Sequence, residues 1–290
     1  SGGSVGNNIE RYELVFREML VNTENIYNGS DAINALNSGI GYEDGMILIA
    51  GTGSSLFVRS RGEIKQIGGW GYLLDDAGSG YDIGRKGFCA ALRHYDGRGK
   101  NTILYDLYSR HLGGPVYKFI PEIYQKGKQF IASFAPLVFE AESKGDKVAA
   151  NIIDECAEEL ALLAKVGAKH LKESKNLKET GGLYKVVLAG GLWKSGDALM
   201  KRFKSNLSEN FLPIQPELPP VFGAVIEALA RVDKKYITCD GITSGHDTGE
   251  GKFNEECNKP VISKDEGKYL SMRVDRSFYE NFKSSIVNKF

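Results

Sequence analysis

The first residues that could do chemistry form the turn Gly51-Thr52-Gly53-Ser54, which follows the apolar run Met46–Ala50. Glycine adopts backbone angles that other residues avoid, so we expect the two glycines to supply unusual φ and ψ values here. Successive backbone N–H groups in such a turn can converge on an anion, and Thr52 adds a hydroxyl group. The turn predicts a phosphate site, with an ordinary hairpin turn as the alternative. The sequence has no G-x-x-x-x-G-K-[ST] motif, which disfavours a P-loop enzyme.

A second glycine-rich turn, at residues 68–80, combines an aromatic side chain with acids. Gly69 and Gly71 flank Trp70, so the backbone can approach a ligand closely while the indole ring offers an apolar wall. Asp75 and Asp76 follow. An ionised carboxylate only accepts hydrogen bonds and therefore suits the hydroxyl groups of a sugar. The turn predicts a sugar site, with a surface loop carrying solvated acids as the alternative.

A third glycine turn, Gly190-Gly191, stands between the strand-like run Tyr184–Ala189 and a predicted helix. A helix that begins after a glycine turn suits the phosphates of a nucleotide. Lys194 either covers a face of that nucleotide or is solvated. A further acid, Asp31, stands where another helix begins, which is a natural N-cap position. Its first interpretation is therefore a helix cap.

These residues need a scaffold, and the spacing of apolar residues predicts one. Strands are predicted at Met46–Ala50, Ser55–Arg59, Glu63–Ile67 and Tyr184–Ala189, with a hairpin at Arg61-Gly62 and a shorter strand at Ile26-Tyr27. Helical regions are predicted at Ile9–Leu20, from Tyr81 to about Arg110, and at Lys126–Glu142, Asp146–Glu173, Asp197–Leu207, Gly223–Arg231 and Ser277–Phe290, with an extended segment at Pro213–Pro220. This order predicts an α/β layered domain with a mixed sheet.

Composition excludes several classes of function. The 290 residues carry 37 Lys+Arg and 37 Asp+Glu, and this zero net charge argues against a general binder of nucleic acid or anionic membranes. No apolar run approaches the roughly 20 residues of a membrane helix, and the first residues lack the layout of a signal peptide. We therefore expect a cytoplasmic protein. None of the four cysteines belongs to a C-x-x-C motif, and Cys156 is expected in the core.

Five motifs, taken in order, carry a resemblance to a known family. They are LIAGTGSS (48–55), GGWGYLLDDAGSGYDIGR (68–85), IASFAPLVFEAESKGD (131–146), VVLAGGLWKS (186–195) and PPVFGAVIEAL (219–229). From about Ser30 to Arg231 the chain resembles the BadF/BadG/BcrA/BcrD ATPase family and, within it, the N-acetylglucosamine kinases. The resemblance implies an actin-like, ribonuclease H-like α/β fold, a mixed sheet with helices on both faces.

The resemblance also implies an activity and a set of roles. The activity is ATP-dependent phosphorylation of an amino sugar, N-acetylglucosamine to its 6-phosphate, with ATP and Mg²⁺ as cofactors. Asp31 matches the general base that accepts the sugar hydroxyl proton. The sugar contacts match Gly69, Trp70, Gly71 and Asp76, and the ATP contacts match Gly51, Thr52, Gly53, Ser54, Ala132, Gly190, Gly191 and Lys194. No metal ligand is assigned, and a homodimer is implied by the family only.

The chain departs from the family pattern because no D-G-G-G-T-like first phosphate loop precedes Gly51. We therefore expect a C-terminal portion of the enzyme, with a complete C-terminal domain and a partial N-terminal one. A circular permutation that uses 236–243 as the first loop is the alternative. The expected division is 1–40, remnant of the small N-terminal domain; 41–233, nucleotide- and sugar-binding domain; 234–267, loop or insertion; and 268–290, terminal helix.

Two other functions compete with the kinase. The first is an ATPase activator of a 2-acyl-CoA dehydratase or reductase, a class that holds an iron–sulfur cluster with cysteines at a dimer interface. Cys89 and Cys156 fall in predicted helices without cluster-like spacing, which weighs against it. The second is a pseudokinase or sugar-sensing module that binds sugar without transferring phosphate, which the missing first loop would favour.

Overall fold

A computed structural model describes residues 29–171 and 181–236, and within them it contains five strands and eight α-helices. The helix predicted at Ile9–Leu20, the strand at Ile26-Tyr27, the insertion at 234–267 (from residue 237 onwards) and the helix at Ser277–Phe290 lie outside the described residues. The predicted division between residues 40 and 41 stays a prediction. No helix in the described ranges is both long enough and apolar enough to cross a membrane.

The strands form one mixed sheet in the order β3-β2-β1-β4-β5. They are β1 (Gly45–Ala50), β2 (Ser54–Ser60), β3 (Glu63–Ile67), β4 (Tyr184–Ala189) and β5 (Phe211–Ile214). The first three strands form an antiparallel meander, whereas β4 runs parallel to β1 and β5 parallel to β4. The predicted hairpin at Arg61-Gly62 is confirmed, because both residues have positive φ (55° and 81°), as a tight hairpin turn requires.

The helices cover both faces of this sheet. They are α1 (Asp31–Ile40), α2 (Gly80–Tyr95), α3 (Leu104–Leu112), α4 (Ile120–Ala132), α5 (Ala135–Ser143), α6 (Lys147–Leu171), α7 (Asp197–Ser205) and α8 (Pro220–Tyr236). Side chains of a strand alternate between its two faces. In β1, Met46, Leu48 and Ala50 join the larger core with α6, while Ile47 joins the smaller core with α1. The predicted mixed sheet with helices on both faces is confirmed.

One expectation about the elements was wrong, and one strand was not predicted. The helical stretch predicted at Lys126–Glu142 is two helices, because α4 ends at Ala132 and α5 begins at Ala135 with a proline in its first turn. Proline suits that position but cannot continue a preceding helix. The start of the segment predicted at Pro213–Pro220 is the end of a strand, β5, which forms an edge of the sheet and so tolerates Pro213.

The cysteine expected in the core is there. Cys156 is fully buried on α6, and its thiol donates a hydrogen bond to the carbonyl oxygen of Gly78 at 2.9 Å. Burial raises the pKa of this thiol well above its usual range. Cys89, on α2, is exposed.

Candidate active site

The first and third glycine turns lie side by side at one edge of the sheet. Gly51 follows β1 and Gly190 follows β4, and the carboxyl ends of these parallel neighbours meet at the same edge, which is where ligands bind in open α/β sheets. A β-carbon on Gly190 would lie 2.2 Å from the carbonyl oxygen of Ala50, and its φ is +103°, so only glycine fits. A β-carbon on Gly51 would lie 3.9 Å from the backbone nitrogen of Gly191.

The turn after β1 is held from several sides and keeps part of its backbone open. The Gly51 N–H donates to the carbonyl oxygen of Gly53 at 2.9 Å, and the Gly80 N–H donates to the carbonyl oxygen of Gly51 at 2.8 Å. The Ser54 N–H donates to Asp76 Oδ1 at 3.1 Å. In the described part of the chain, the N–H groups of Thr52 and Gly53 donate to no protein acceptor. An anion can therefore bind to these two backbone donors.

The reason predicted for glycine in this turn was wrong. Neither Gly51 nor Gly53 has a positive φ. Close packing favours glycine at position 53 instead, because a β-carbon there would lie 2.9 Å from Asp76 Oδ1 and 3.0 Å from Lys128 Nζ, so these side chains would have to shift. The turn is thus a place where two charged side chains approach the backbone.

The loop around Trp70 does need the backbone freedom of glycine. Gly68, Gly69 and Gly71 have φ values of 68°, 76° and 97°. A β-carbon on Gly69 would lie 2.6 Å from the β-carbon of Ser55, so this loop packs directly against the start of β2. Trp70 is 67% exposed and can present its ring to a ligand. The predicted sugar residues therefore lie next to the predicted phosphate turn.

Asp76 joins these two segments. Its side chain is buried, its φ of 67° is positive, and its Oδ1 accepts the hydrogen bond from Ser54 N–H. Its Oδ2 accepts a hydrogen bond from Lys128 Nζ at 2.6 Å. The carboxylate thus fastens the phosphate turn to the Trp70 loop and to α4. Its predicted contact with a sugar stays a prediction.

The remaining residues predicted to bind the nucleotide lie around the same edge. The carbonyl oxygen of Ala132, at the end of α4, is 3.8 Å from the β-carbon position of Gly80, whose N–H binds Gly51. Lys194 ends the 3-10 turn Gly191–Lys194 and is exposed. Its predicted role at the nucleotide stays a prediction.

Asp31 is not the N-cap of α1. That position belongs to Ser30, whose side chain accepts a hydrogen bond from Ala32 N–H at 3.2 Å. Asp31 is the first helical residue and is exposed, and its Oδ1 also accepts from Ala32 N–H, at 3.0 Å. The other end of α1 lies against the start of β1, through Ile40 and Gly45. The predicted position of Asp31 beside the phosphate turn, and its role as the general base, stay predictions.

Sequence reasoning missed Lys128. This lysine contacts Asp76 across a sequence separation of 52 residues, and no motif or spacing connects the two. Only the three-dimensional packing of α4 beside the phosphate turn shows the contact. Nearby, Tyr81 donates its N–H to the carbonyl oxygen of Thr52 at 3.3 Å, and burial raises the pKa of its hydroxyl group.

Comparison with known proteins identifies a family and several relatives that match most of this chain. The model of the BadF/BadG/BcrA/BcrD ATPase family matches residues 5–228. An N-acetylmuramic acid/N-acetylglucosamine kinase from Clostridium acetobutylicum is 37% identical over 221 residues, which cover 70% of this chain and 67% of that protein. An N-acetyl-D-glucosamine kinase from Dictyostelium discoideum is 29% identical over 221 residues, covering 73% of this chain and 68% of that protein.

Solved structures support the fold. A candidate N-acetylglucosamine kinase from Chromobacterium violaceum matches with a TM-score of 0.60 at 21% identity, covering 76% of this chain and 72% of that one. A candidate N-acetylglucosamine kinase from Porphyromonas gingivalis matches with a TM-score of 0.56 at 19% identity, covering 78% of this chain and 74% of that one. The predicted actin-like α/β fold is confirmed.

Proposed function

This chain belongs to the BadF/BadG/BcrA/BcrD ATPase family, and we propose that it transfers the γ-phosphate of ATP to a hydroxyl group of an amino sugar. The observation that carries the proposal is the joining of two turns by one carboxylate. Asp76 fastens the turn with open amides to the loop that presents Trp70, which supports a proposed phosphate site next to a proposed sugar site. The curated relatives named for N-acetylglucosamine support that sugar as the acceptor, phosphorylated at its 6-hydroxyl group.

The residues of this chain would act mainly by positioning and by charge. The N–H groups of Thr52 and Gly53 would hold the phosphoryl group in transit, since phosphoryl transfer depends on placing the reactants in line and stabilising negative charge. Asp31 would accept the proton of the sugar hydroxyl group as its oxygen attacks phosphorus. Trp70 would pack on the sugar, and the Gly190-Gly191 turn would face the nucleotide.

The proposal includes Mg²⁺, which the family implies together with ATP. Mg²⁺ keeps several waters and is usually held by substrate phosphates with one or two carboxylates. The open amides beside the hydroxyl group of Thr52 fit a polyphosphate that carries such an ion, and the exposed carboxylate of Asp31 is available to a ligand. The ion would neutralise charge on the phosphates. The cytoplasmic location and the homodimer expected from the sequence remain parts of the proposal.

A second acceptor, N-acetylmuramic acid, follows from a specific observation. The relative from Clostridium acetobutylicum is named for both sugars. The two sugars differ by a charged lactyl group, and Trp70 is exposed enough to pack on either of them. We expect both sugars to be phosphorylated, with glucose, which lacks the N-acetyl group, used less well.

The direct experiment measures transfer and binding separately. The purified chain is incubated with ATP, Mg²⁺ and each sugar of a panel, ADP release is followed, and the product is identified by mass and by phosphorus NMR. Calorimetry measures sugar binding without ATP. We expect N-acetylglucosamine 6-phosphate, formed slowly because no D-G-G-G-T-like first phosphate loop precedes Gly51. Sugar binding without any transfer would favour the sugar-sensing module, and neither binding nor transfer would refute an amino-sugar function.

A further inference from the structure

Lys128 reaches the phosphate turn and the sugar loop at once. Its Nζ is 2.6 Å from Asp76 Oδ2 and 3.0 Å from the place that a β-carbon on Gly53 would occupy. It also lies 5.7 Å from the ring centre of Tyr72. Its side chain is 28% exposed, so it is not buried in the core. Among the described ion pairs, the one that involves Asp76 is its pair with Lys128.

The backbone directs this lysine toward the site. Gly127 has φ 67° and ψ −149°, which interrupts α4 immediately before Lys128. On the other side of that glycine, Lys126 pairs with Glu122 and covers the ring of Phe130. Two lysines that are two positions apart therefore have different surroundings, and only the second one reaches the phosphate turn.

Electrostatics explains why a cation is needed at this place. Asp76 is a buried carboxylate, its side chain 5% exposed, that borders the amides of a proposed phosphate site. Unpaired, it would be strongly unfavourable and would repel a phosphate. An ammonium group has three N–H donors, and Asp76 accepts from one of them, so others remain for an anion.

We propose that Lys128 is a phosphate-binding residue whose ammonium group donates to the γ-phosphate of a nucleotide seated on the Thr52 and Gly53 amides. Asp76 holds the ammonium group in position through its Oδ2. The inference rests on the proposed function, because it takes ATP as the ligand of this turn. It adds a side-chain cation to a site that the sequence described through backbone groups and Lys194.

The test compares Lys128→Met with the control Lys126→Met on the same helix. Calorimetry measures the binding of three ligands. They are a non-hydrolysable ATP analogue with Mg²⁺, ADP with Mg²⁺, and N-acetylglucosamine. Because Lys128→Met removes a charge-assisted hydrogen bond, we expect it to weaken binding of the ATP analogue by about 10- to 100-fold. ADP and sugar should bind as before, because neither carries a γ-phosphate. The control should bind all three ligands like the unsubstituted chain.

A double variant separates phosphate binding from simple neutralisation of Asp76. Lys128→Met leaves a buried carboxylate unpaired and can destabilise the fold, whereas Asp76→Asn with Lys128→Met removes both charges. We expect the double variant to regain its Tm and to keep the defect toward the ATP analogue. Recovery of analogue binding, or equal losses for the analogue and ADP, would overturn the inference. A chain that binds sugar but no nucleotide even without substitution would overturn the kinase proposal as well.

Discussion

At the scale of single residues, two carboxylates stand in contrasting surroundings. Asp76 is buried, and each of its oxygens accepts a hydrogen bond from the protein. Asp31 is exposed at the start of α1. A group that must accept a proton from a substrate has to reach it. The difference in exposure supports a structural role for Asp76 and agrees with the proposed role of Asp31 in proton transfer.

We expect Asp31→Asn to lower kcat for amino-sugar phosphorylation by about 100- to 10,000-fold, the usual contribution of a general base. The amide keeps the shape of the side chain and its hydrogen bond to the sugar, so the KM for the sugar should change little. Steady-state kinetics at saturating ATP measure both constants. Asp197→Asn is the matched control, since Asp197 is also the first residue of a helix and is exposed. Comparable kcat values in the two variants would exclude Asp31 as the base.

The sequence could identify the residue types of the site but not all of the reasons for them. Glycine and acid motifs located the three turns correctly, and the structure places these turns together. The need for glycine at position 53 is steric and arises from Lys128 and Asp76, which are distant in sequence. Lys128 itself carries no local signal, because its partner is fixed by the packing of α4 and not by spacing along the chain.

At the scale of elements, one carboxylate holds the beginnings of two helices. Asp146 Oδ1 accepts from the N–H groups of Val148 and Ala149 at 2.8 and 2.9 Å, which caps α6. Its Oδ2 accepts from Thr102 Oγ1 at 2.8 Å and from the Ile103 N–H at 2.7 Å, next to α3. The side chain of Ile103, the residue before α3, does not cap that helix. Asp146 therefore couples the starts of α3 and α6.

The same residue predicts a dependence of stability on pH. Burial tends to raise the Asp146 pKa, but the hydrogen bonds from Ala149, Ile103, Thr102 and Val148 outweigh burial and lower it. Because the folded pKa lies below the unfolded value of about 3.9, the contribution is present above that value and is lost as pH falls through the folded pKa. We expect Asp146→Ala to reduce the free energy of unfolding at pH 7 by about 2–3 kcal/mol.

Urea unfolding at pH 7 and at lower pH values measures this effect. The gap between Asp146→Ala and the unsubstituted chain should narrow as the medium becomes more acidic than about pH 4. Glu158→Ala, an exposed carboxylate on the same helix, is the control and should leave the curve nearly unchanged. A gap that stays constant down to the acid transition would show that the charge of Asp146 does not contribute.

At the scale of the whole molecule, local patterns predicted elements better than the breaks between them. Short apolar runs bounded by turns predicted β1 to β4 nearly to the residue, and the three- and four-residue spacing predicted α6. The last strand, Phe211–Ile214, was missed because Pro213 suppresses a strand pattern, and only its edge position makes it possible. The strand order and the parallel pairing of β1 with β4 were not predicted, since they depend on contacts between distant segments.

A buried polar network connects the last described helix to the helix of Asp31. Arg59 is buried in β2, and although burial lowers its pKa, it donates to Asn37 of α1 and to the carbonyl oxygens of Gly41 and Glu43. Asn37 in turn donates to Glu227 Oε2 at 2.9 Å, which lies on α8. The position of α1 is therefore held by α8 as well as by the sheet.

These two helices approach each other closely at Gly223, and its substitution tests this coupling. A β-carbon there would lie 1.7 Å from the carbonyl oxygen of Asn34, and backbone atoms cannot yield as a flexible side chain can. Alanine normally favours a helix over glycine, yet we expect Gly223→Ala to cost about 1–3 kcal/mol because α1 and α8 must separate. Movement of α1 displaces Asp31, so kcat should fall while nucleotide binding at the Gly51 turn persists.

Urea unfolding measures the stability, kinetics measure kcat, and calorimetry measures nucleotide binding. The control is Ala228→Ser, at an exposed position of α8. A stable Gly223→Ala protein with unchanged kcat would mean that α8 does not set the position of the general base.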